Sequence, residues 1–459
     1  MAEPERVMQA YRYALDPTPE QEIRLRSHCG AQRFAFNWGL ATVQANLAQR
    51  AAERSYGIAE PDLTPPTGWS AYELRRRWNS VKESIAPWWA ENSKEAYASG
   101  LANLAAGLSN WADSRSGKRR GRAARFPRFK SKKSAMSCRF TTGVMGLTAD
   151  DRRHVKLPRI GTVRTWESTR KLARRLTSGT ARVRSATVAL RGGRWFVSFS
   201  VEVERHDRGP RRPAAVVGVD LGVKHLAVLS EAVPGVTDTD GMVANPKHLN
   251  RARQRLRRLQ RRAARRRRPK GTEPSQRWLR TNRSIARAHA RVVNARGNGL
   301  HQLTAALADR FGTLVVEDLN IAGLLCNRRL SRAIADTGWG ELRRQLEYKA
   351  RWRGGRVVVA DRWYPSSKTC SNPRCGVVKA KLRLDERVFQ CEHCGLSLDR
   401  DRNAARNLAA LARAVTTCPS SSSCGATLNE PDGNPQKSGA VVGSGYGHGN
   451  TSMYGVNVV

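Results

Sequence analysis

The stretch AAVVGVDLGVKHLAVLS, residues 214–230, consists of two apolar runs separated by the short segment DLG. Apolar runs punctuated in this way are typical of buried β-strands, and Gly222 allows a tight turn between them. The first run ends at Asp220. A carboxylate at the tip of a buried strand is costly to desolvate unless a cation or hydrogen bonds receive it. The stretch therefore predicts a sheet that carries a candidate functional acid at one strand end.

A second acid occupies the same position in another strand-like run. GTLVVEDL, residues 312–319, and GRVVVADRW, residues 355–363, have the pattern of buried strands, and Glu317 ends the apolar part of the first. The segment between them, DTGWGELRRQLEYKARW at 336–352, has the periodicity of an amphipathic helix. Strands that alternate with helices predict a mixed α/β sheet. Two acids at strand tips of one sheet indicate a shared cation.

The third candidate acid lies in DRDRNAARNLAALA, residues 399–412, where a helix is predicted to begin near Asp399 or Asp401. An N-cap is the commonest role for an aspartate before a helix, and Asp399 fits that role better. Asp401 would instead face the sheet, because small or apolar residues follow it at i+4, i+7 and i+11. These residues are Ala405, Leu408 and Ala412.

Asp220, Glu317 and Asp401 together predict a metal site for phosphodiester chemistry. Carboxylates without nitrogen or sulfur ligands suit Mg²⁺ or Mn²⁺, which prefer oxygen. Two such ions about 3.5–4 Å apart can activate water and stabilise the leaving oxygen of a phosphodiester. A small acidic site of this kind explains why a basic protein places carboxylates there.

The charge balance of the chain predicts a polyanionic partner. Among 459 residues, 82 are Lys or Arg and 38 are Asp or Glu, which gives a formal net charge of +44. Nucleic acid is the usual partner of such a chain, since its phosphates release counterions when basic side chains replace them. A membrane surface is the weaker alternative. We expect an intracellular protein, because the sequence has no run of about 18 apolar residues and no N-terminal apolar stretch typical of a signal peptide.

Four of the nine cysteines form a zinc-like pattern. Two residue pairs, C-x4-C and C-x2-C, are separated by fifteen residues, and Gly376 and Gly395 follow them to allow tight turns. The pattern predicts a structural zinc site, with His393 as the only other nearby ligand candidate. The cysteines of the pattern are Cys370, Cys375, Cys391 and Cys394. Three others are expected to be small core residues or to have no specific role: Cys29, Cys138 and Cys326.

The rest of the sequence divides into segments that differ in their pattern of apolar and basic residues. An opening strand ends at Pro17, a Trp-rich helical block follows to about Asp113, and four strand-like runs lie between 137 and 204. The basic run at 114–136 is either a solvated linker or a segment laid on a phosphate backbone. Eleven arginines between 251 and 270 predict an arginine-coated helix along nucleic acid.

Individual basic residues are weaker candidates for nucleic-acid contacts than the acids are for metal binding. Lys224 follows the first acid, although an exposed turn lysine is the simpler interpretation. Arg400 and Arg402 flank Asp401 and either clamp substrate or are merely solvated. The further candidates are Lys130, Lys132, Lys133, Arg257 and Arg258.

The order of these motifs resembles a known nuclease family. GVDLGVKHLAVLS, LVVEDLNIAGL, SSKTC, CEHCG and DRDRNAARNL are similar to the RuvC-like core of the TnpB family of transposon-associated proteins. Compact type V CRISPR effectors share that core. YRYALDPTPEQ, RFAFNWGL and FPRFKSKK also resemble the family's N-terminal and wedge segments. The resemblance spans roughly residues 8 to 412.

The resemblance implies an RNA-guided DNA endonuclease, with Asp220, Glu317 and Asp401 as its catalytic triad and Mg²⁺ or Mn²⁺ as cofactor. It implies a guide RNA and double-stranded target DNA with a short adjacent motif as partners, a monomer or homodimer, and a bacterial cytoplasm, at the nucleoid when bound to target. The expected fold class is α+β and multidomain, with an RNase H-like nuclease. The implied domains are a wedge strand at 1–19, a helical recognition domain at 20–113, a wedge β-barrel at 114–205, a RuvC-like domain at 214–365, a zinc ribbon at 366–398, the last RuvC motif at 399–415 and a disordered tail at 416–459.

Two departures from the family pattern stand out. The first cysteine pair encloses four residues where the family often has two, and residues 51–69 look like an insertion in the helical block. Two other functions stay open at this point. One is a cleavage-inactive, RNA-guided DNA-binding repressor, and the other is a guide-independent basic protein such as an RNA chaperone or a transposase-like nuclease.

Overall fold

The computed structural model of the chain has two structural units, each built from discontinuous segments. The first comprises Met1–Asp207 and Ala252–Asn294, and the second Arg208–Arg251 and Ala295–Val459. Lys133 and the tail beyond 417, for which the sequence predicts a nucleic-acid contact and disorder, lie outside the described residues. The structure describes residues 5–119, 123–132, 134–148, 151–205, 208–269, 271–383 and 385–417.

The first unit begins with the predicted strand and helical block. Strand β1 ends at the predicted proline turn, and Thr18 then forms a capping box with Gln21, in which each side chain accepts a hydrogen bond from the other's backbone N–H. Three long helices follow, which confirms the prediction. The elements are β1 (Glu5–Asp16), α1 (Pro19–Ser55), α2 (Ala71–Ile85) and α3 (Lys94–Arg115).

Close packing of α1 on α3 depends on a small residue. A Cβ atom placed on Gly100 would lie 2.3 Å from the carbonyl oxygen of Gln32, so no larger side chain fits between the helices. The tryptophans form part of this core. Trp78 is 2% exposed and stacks on Tyr97 with 5.0 Å between ring centroids.

A seven-stranded sheet completes the first unit. Its order is β2-β6-β7-β1-β5-β4-β3, so β1 lies at the centre between β7 and β5, both antiparallel to it. Burial alternates along β7, as expected for a strand with one face on the core. The predicted strands are confirmed, whereas α4 was not predicted. The elements are β2 (Ser137–Phe140), β3 (Gly146–Leu147), β4 (His154–Leu157), β5 (Gly161–Thr165), α4 (Arg170–Thr177), β6 (Ala181–Arg191) and β7 (Arg194–Arg205).

The second unit contains a mixed five-stranded sheet with the order β10-β9-β8-β11-β12. Strands β8, β11 and β12 are parallel, and β9 returns antiparallel to β8 across the predicted turn at Gly222. The strands are β8 (Arg212–Asp220), β9 (His225–Leu229), β10 (Met242–Ala244), β11 (Phe311–Glu317), β12 (Arg356–Ala360), β13 (Val388–Gln390) and β14 (Ser397–Asp399). The helices are α5 (His248–Arg265), α6 (Gln276–Arg310), α7 (Ile321–Leu324), α8 (Ser331–Thr337), α9 (Trp339–Trp352) and α10 (Arg400–Thr417).

The two basic helices α5 and α6 each have residues in both units. On α5, Leu256 is buried, while Arg257 and Arg258 are exposed. None of the helices in the described ranges is both long enough and apolar enough to cross a bilayer.

Alternate residues of these strands lie on opposite faces of the sheet and pack on different helices. Val217 and Val219 share a buried cluster with residues of α6 and α9, whereas Val216 and Val315 share one with α10. Because side chains alternate across a strand, residues of the same parity as Val216 and Val315 face α10. Asp220 and Glu317 have that parity.

Gly218 shares this face and sets the distance between β8 and α10. A Cβ atom at Gly218 would lie 1.9 Å from the carbonyl oxygen of Ala405 and 2.7 Å from the amide nitrogen of Ala409. Both contacts are with helix backbone, which cannot rotate away as a side chain can. Only glycine therefore allows α10 to approach the strand so closely.

We predict that Gly218→Ala destabilises the protein by about 1–3 kcal/mol, since the added methyl group forces α10 away from the sheet. Thermal melting of the full chain would measure this. Gly297→Ala is the matched control, because nothing lies within 4 Å of a Cβ atom there and alanine is the better helix former. Equal melting temperatures for Gly218→Ala and the wild type would contradict the close-packing explanation.

Candidate functional site

Asp220 and Glu317 end adjacent parallel strands. Val219 of β8 is paired with Val316 of β11, so the acids that follow them are level with each other at the same edge of the sheet. Their positions in the strands place both side chains on the face of the sheet that contacts α10. The structure therefore brings together the two acids that the sequence predicted at strand tips.

Asp401 lies in the first turn of α10, the helix that packs on β8 and β11. Asp399 caps this helix, as its Oδ1 accepts hydrogen bonds from the backbone N–H groups of Asp401 (2.9 Å) and Arg402 (3.2 Å). The predicted division between a capping Asp399 and an inward Asp401 is confirmed. Three residues that follow Asp401 are buried as predicted: Ala405, Leu408 and Ala412.

The electrostatics show that the three acids share one environment. Burial raises the pKa of the Asp220 carboxyl well above its usual value, and the charges of Glu317 and Asp401 raise it further, while Arg400 lowers it. Burial likewise raises the pKa of Glu317, where Asp401 adds to the rise and a hydrogen bond from Ser366 opposes it. Neighbouring negative charges that raise the pKa of Asp220 and Glu317 are an arrangement that a bound cation would stabilise.

Arginine balances part of this negative charge. Nε and Nη2 of Arg400 both donate to Oδ1 of Asp401, each at 3.1 Å, and the two side chains are largely buried. Arg402 donates through Nη1 to Oδ1 of Asp240 at 2.8 Å. Neither of the predicted arginines is therefore simply solvated, and Arg400 directly contacts a candidate metal ligand.

A hydrogen-bonded loop supports Glu317, and sequence reasoning missed it. The hydroxyl of Ser366 donates to Oε1 of Glu317 at 2.7 Å. Asn407 donates through Nδ2 to the carbonyl of Ser366 at 2.7 Å, and Asn403 donates to that of Thr369 at 2.7 Å. Both asparagines are buried on α10. The i, i+4 spacing of these asparagines on an otherwise apolar helix face is the sequence pattern from which their supporting role could be predicted.

The four predicted cysteines converge on a point. The Sγ atoms of Cys370 and Cys394 are 3.5 Å apart, those of Cys375 and Cys391 are 3.7 Å apart, and all four lie within 4.8 Å of one another. Four sulfurs about 2.3 Å from a tetrahedral zinc ion would be about 3.8 Å apart, so the geometry fits zinc. Within the described ranges, no other group of three or more His, Cys, Asp or Glu side chains has its ligand atoms gathered in this way, and the carboxylates of Asp220, Glu317 and Asp401 are spaced more widely.

The local backbone explains why the cysteines converge. Gly376 has φ +60° and Gly395 φ +71°, so both glycines make the tight turns predicted after the cysteine pairs. The antiparallel hairpin β13–β14 presents Cys391, whose N–H donates to the carbonyl of Leu396. The backbone N–H of Leu396 lowers the pKa of the Cys394 thiol to about 6, whereas burial raises that of Cys370 to about 12.

The predicted nucleic-acid lysines differ in exposure. Lys224 and Lys132 are exposed. The ammonium of Lys130 lies 3.9 Å from the centroid of the Phe36 ring, and burial lowers its pKa to about 8, so its predicted contact with nucleic acid stays a prediction. Its backbone also exchanges two hydrogen bonds with the side chain of Asn37. This part of the basic run is therefore packed against α1 and is not a solvated linker.

Three family models match the chain. Residues 339–408 match the model described as Cas12f1-like, TNB domain, and residues 198–328 match one described as probable transposase. Residues 7–51 match a model described as a helix-turn-helix domain, although the structure has strand β1 and the uninterrupted start of helix α1 there.

Several bacterial relatives align over most of this chain. A protein of Mycobacterium tuberculosis (strain H37Rv), provisionally named an RNA-guided DNA endonuclease, is 40% identical over 88% of this chain and 86% of its own length. Proteins of Streptomyces pristinaespiralis and Escherichia coli K12 with the same provisional name are 34% and 30% identical, over 90% of this chain and 92% and 94% of their own lengths. A solved Cas12f1-sgRNA-target DNA complex aligns at 14% identity over 88% of this chain and 99% of that one, with a TM-score of 0.48, too low to establish a shared fold.

We predict that Asp220→Asn stabilises the metal-free protein at neutral pH, because it removes one of three crowded negative charges. A carboxyl whose native pKa is raised costs stability as pH rises above its unfolded value of about 4, so the difference from wild type should vanish near pH 4 and grow towards pH 8. Thermal melting in the presence of a chelator would measure this difference. Each kcal/mol of relieved repulsion should raise the melting temperature by about 2–4 °C.

The exposed Asp62 provides the control for this measurement, since Asp62→Asn should leave the melting temperature unchanged at every pH. A melting temperature for Asp220→Asn that is equal to or below that of the wild type at pH 8 would show that the acids are not mutually destabilising.

Proposed function

Because the chain belongs to the TnpB family, we propose that it is an RNA-guided DNA endonuclease with one metal-dependent nuclease site. The observation that carries this proposal is the level placement of Asp220 and Glu317 on parallel strands, with Asp401 on the helix that packs across them. In a chain of net charge +44, such a gathering of acids is best explained by metal-assisted cleavage of a phosphate backbone.

Asp220, Glu317 and Asp401 are proposed to hold Mg²⁺ or Mn²⁺, because their donor set consists of hard oxygen atoms. Divalent ions bound there supply an activated water and stabilise the leaving oxygen of the phosphodiester. Ser366 fixes the orientation of the Glu317 carboxylate through its hydroxyl. Arg400 shares Oδ1 of Asp401 and limits the negative charge of the site before ions bind.

A guide RNA and double-stranded DNA with a short adjacent motif are the proposed partners. In such enzymes base pairing chooses the sequence, and the protein binds backbone and shape. The exposed arginines of α5, including Arg257 and Arg258, suit phosphate binding along a nucleic acid. Lys132 and Lys224 are exposed enough to add contacts, while Lys133 lies outside the described residues.

The finer domain assignments are also part of the proposal. The seven-stranded sheet of the first unit is assigned as the wedge domain, closed as a barrel, and helices α1–α3 as the recognition domain. Residues 366–398 are assigned as a zinc ribbon in which Zn²⁺ binds Cys370, Cys375, Cys391 and Cys394. Four thiolates complete a tetrahedral site, which makes this zinc structural and leaves no position for water.

We predict that Asp220→Ala abolishes cleavage and leaves RNA binding nearly unchanged. The protein is purified after coexpression with its native flanking DNA, the bound RNA is sequenced, and Mg²⁺-dependent cleavage of a matching plasmid library is measured. Removal of one metal ligand should reduce cleavage by at least about a thousandfold, given the several kcal/mol that metal ions supply. Asp62→Ala is the control and should cleave at the wild-type rate.

The same experiment separates the alternatives. Cleavage by Asp220→Ala at the wild-type rate would refute the triad. One defined RNA with target binding and no cleavage by the wild type would identify a guided repressor, and a heterogeneous RNA population would identify a guide-independent basic protein.

We also predict that Cys391→Ser lowers the zinc content from about one ion per chain to near zero, since three thiolates hold zinc far less tightly than four. Metal analysis of the purified protein by mass spectrometry measures this. Cys326→Ser, at an exposed cysteine outside the cluster, should retain zinc. Full zinc content in Cys391→Ser would exclude the cysteine cluster as the zinc site.

A further inference from the structure

Trp363 is unusually exposed for a tryptophan. It and Tyr56 are each 85% exposed, more than any other large apolar side chain among the described residues. A single exposed apolar side chain is normal on a protein surface, but an indole ring also offers a flat face on which a nucleic-acid base can stack. Trp363 lies three residues after β12, the strand that pairs with β11 and places Ala360 beside Glu317. Its exposed ring is therefore anchored near the edge of the sheet that carries the acids.

The backbone around Trp363 is held to the nuclease site on both sides. Before it, Arg362 donates through Nη2 to the carboxylate of Asp318, the residue that follows Glu317. After it, the hydroxyl of Tyr364 donates to the carbonyl of Asn407 at 3.3 Å, and Ser366 donates to Glu317. Its own N–H donates to Oδ1 of Asp361 at 2.8 Å. The loop is thus fixed while the Trp363 ring stays in solvent, as expected for a preorganised contact.

The segment that follows β11 carries exposed positive charge. The segment that leaves β11 after Glu317 contains Arg328, Arg329 and Arg332, all exposed. Within the described part of the chain, none of these guanidinium groups makes a hydrogen bond or ion pair. Ligands of open sheets with parallel strands bind at the carboxyl ends of those strands. Nucleic acid is an anionic ligand with flat rings, so it matches both the exposed indole of Trp363 and the net charge of +44.

From these observations we propose that Trp363 is a positioning residue that stacks on an unpaired base of the DNA strand being cut, close to the scissile phosphate. The proposal rests on the function proposed above. An aromatic ring stacks on a base only if the base face is free, so the strand must be single-stranded at this point. The stacked base fixes the register of the backbone, and the neighbouring phosphodiester is then held at the three acids.

The chemistry favours DNA over a protein partner on this surface. A protein interface would need a larger apolar patch than one indole ring. Base stacking needs only one ring and tolerates any sequence, which suits an enzyme whose sequence choice is made by a guide.

The test compares Trp363→Ala, Trp363→Phe and the matched control Tyr56→Ala in the RNA-bound protein. We expect single-turnover cleavage of a guided target to fall about tenfold in Trp363→Ala, to recover largely in Trp363→Phe and to stay unchanged in Tyr56→Ala. RNA binding and melting temperature should be the same in all four proteins, because the Trp363 side chain is 85% exposed and buries little surface in the fold.

A second readout does not require cleavage. Targets that carry the fluorescent base 2-aminopurine at successive positions around the cut site are bound to the Asp220→Ala protein, in which the DNA stays intact. Stacking on tryptophan quenches the fluorescence of this base. We therefore expect the fluorescence at one position to be quenched with Asp220→Ala and to be brighter with the double variant that carries both Asp220→Ala and Trp363→Ala.

The outcomes separate the two proposals. If the wild type cleaves, and Trp363→Ala cleaves at the same rate and leaves the fluorescence unchanged, the stacking proposal is overturned and the nuclease assignment stays intact. Loss of melting temperature or of RNA binding in Trp363→Ala, with no change in fluorescence, assigns the ring to a structural or protein-binding role and also overturns it. Absence of any guided cleavage by the wild type refutes the proposed function itself.

Discussion

The close approach of helix α10 to strand β8 at Gly218 is the constraint on which the candidate nuclease site depends. A Cβ atom there would lie 1.9 Å from the carbonyl oxygen of Ala405, so only a glycine lets the helix lie across the sheet at this distance. The first turn of that helix carries Asp401, and the adjacent strand ends carry Asp220 and Glu317. The spacing of one strand and one helix therefore decides whether three carboxylates share an environment.

Assembling these acids opposes stability, and a bound cation would relieve the repulsion between them. Burial and repulsion between the acids raise the pKa of Asp220 and Glu317. Neighbouring side chains bind the carboxylates of the site and offset part of this cost. Arg400 pairs with Asp401, and Ser366 donates to Glu317. Asn403 and Asn407 hold the Ser366 loop on α10, so the support of Glu317 and the placement of Asp401 come from the same helix. A shift of α10 would disturb both.

The cysteine cluster and the acids are linked by the chain in the same region. The segment from Ser366 to Asp399 leaves the loop that supports Glu317, passes through all four cysteines and returns at the N-cap of α10. Closing this segment on a metal ion fixes the ends of the loop relative to the helix. The zinc-like site therefore has a structural reason to lie between the second and third acids in the sequence.

Local patterns in the sequence predicted the strands around Asp220 and Glu317, the capping role of Asp399, the cysteine quartet and the Trp-rich helical block, because periodicity, caps and ligand spacing are local properties of the chain. The sequence also indicated the family through the order of these motifs. It did not show that Ser366 and the two asparagines support Glu317, that Lys130 is packed on Phe36, or that the ring of Trp363 is exposed beside the site. Those features depend on contacts between residues far apart in the chain and on how much of each side chain the fold covers. Only the tertiary structure decides them, because hydrogen-bond partners and solvent exposure are set by packing and have no local period.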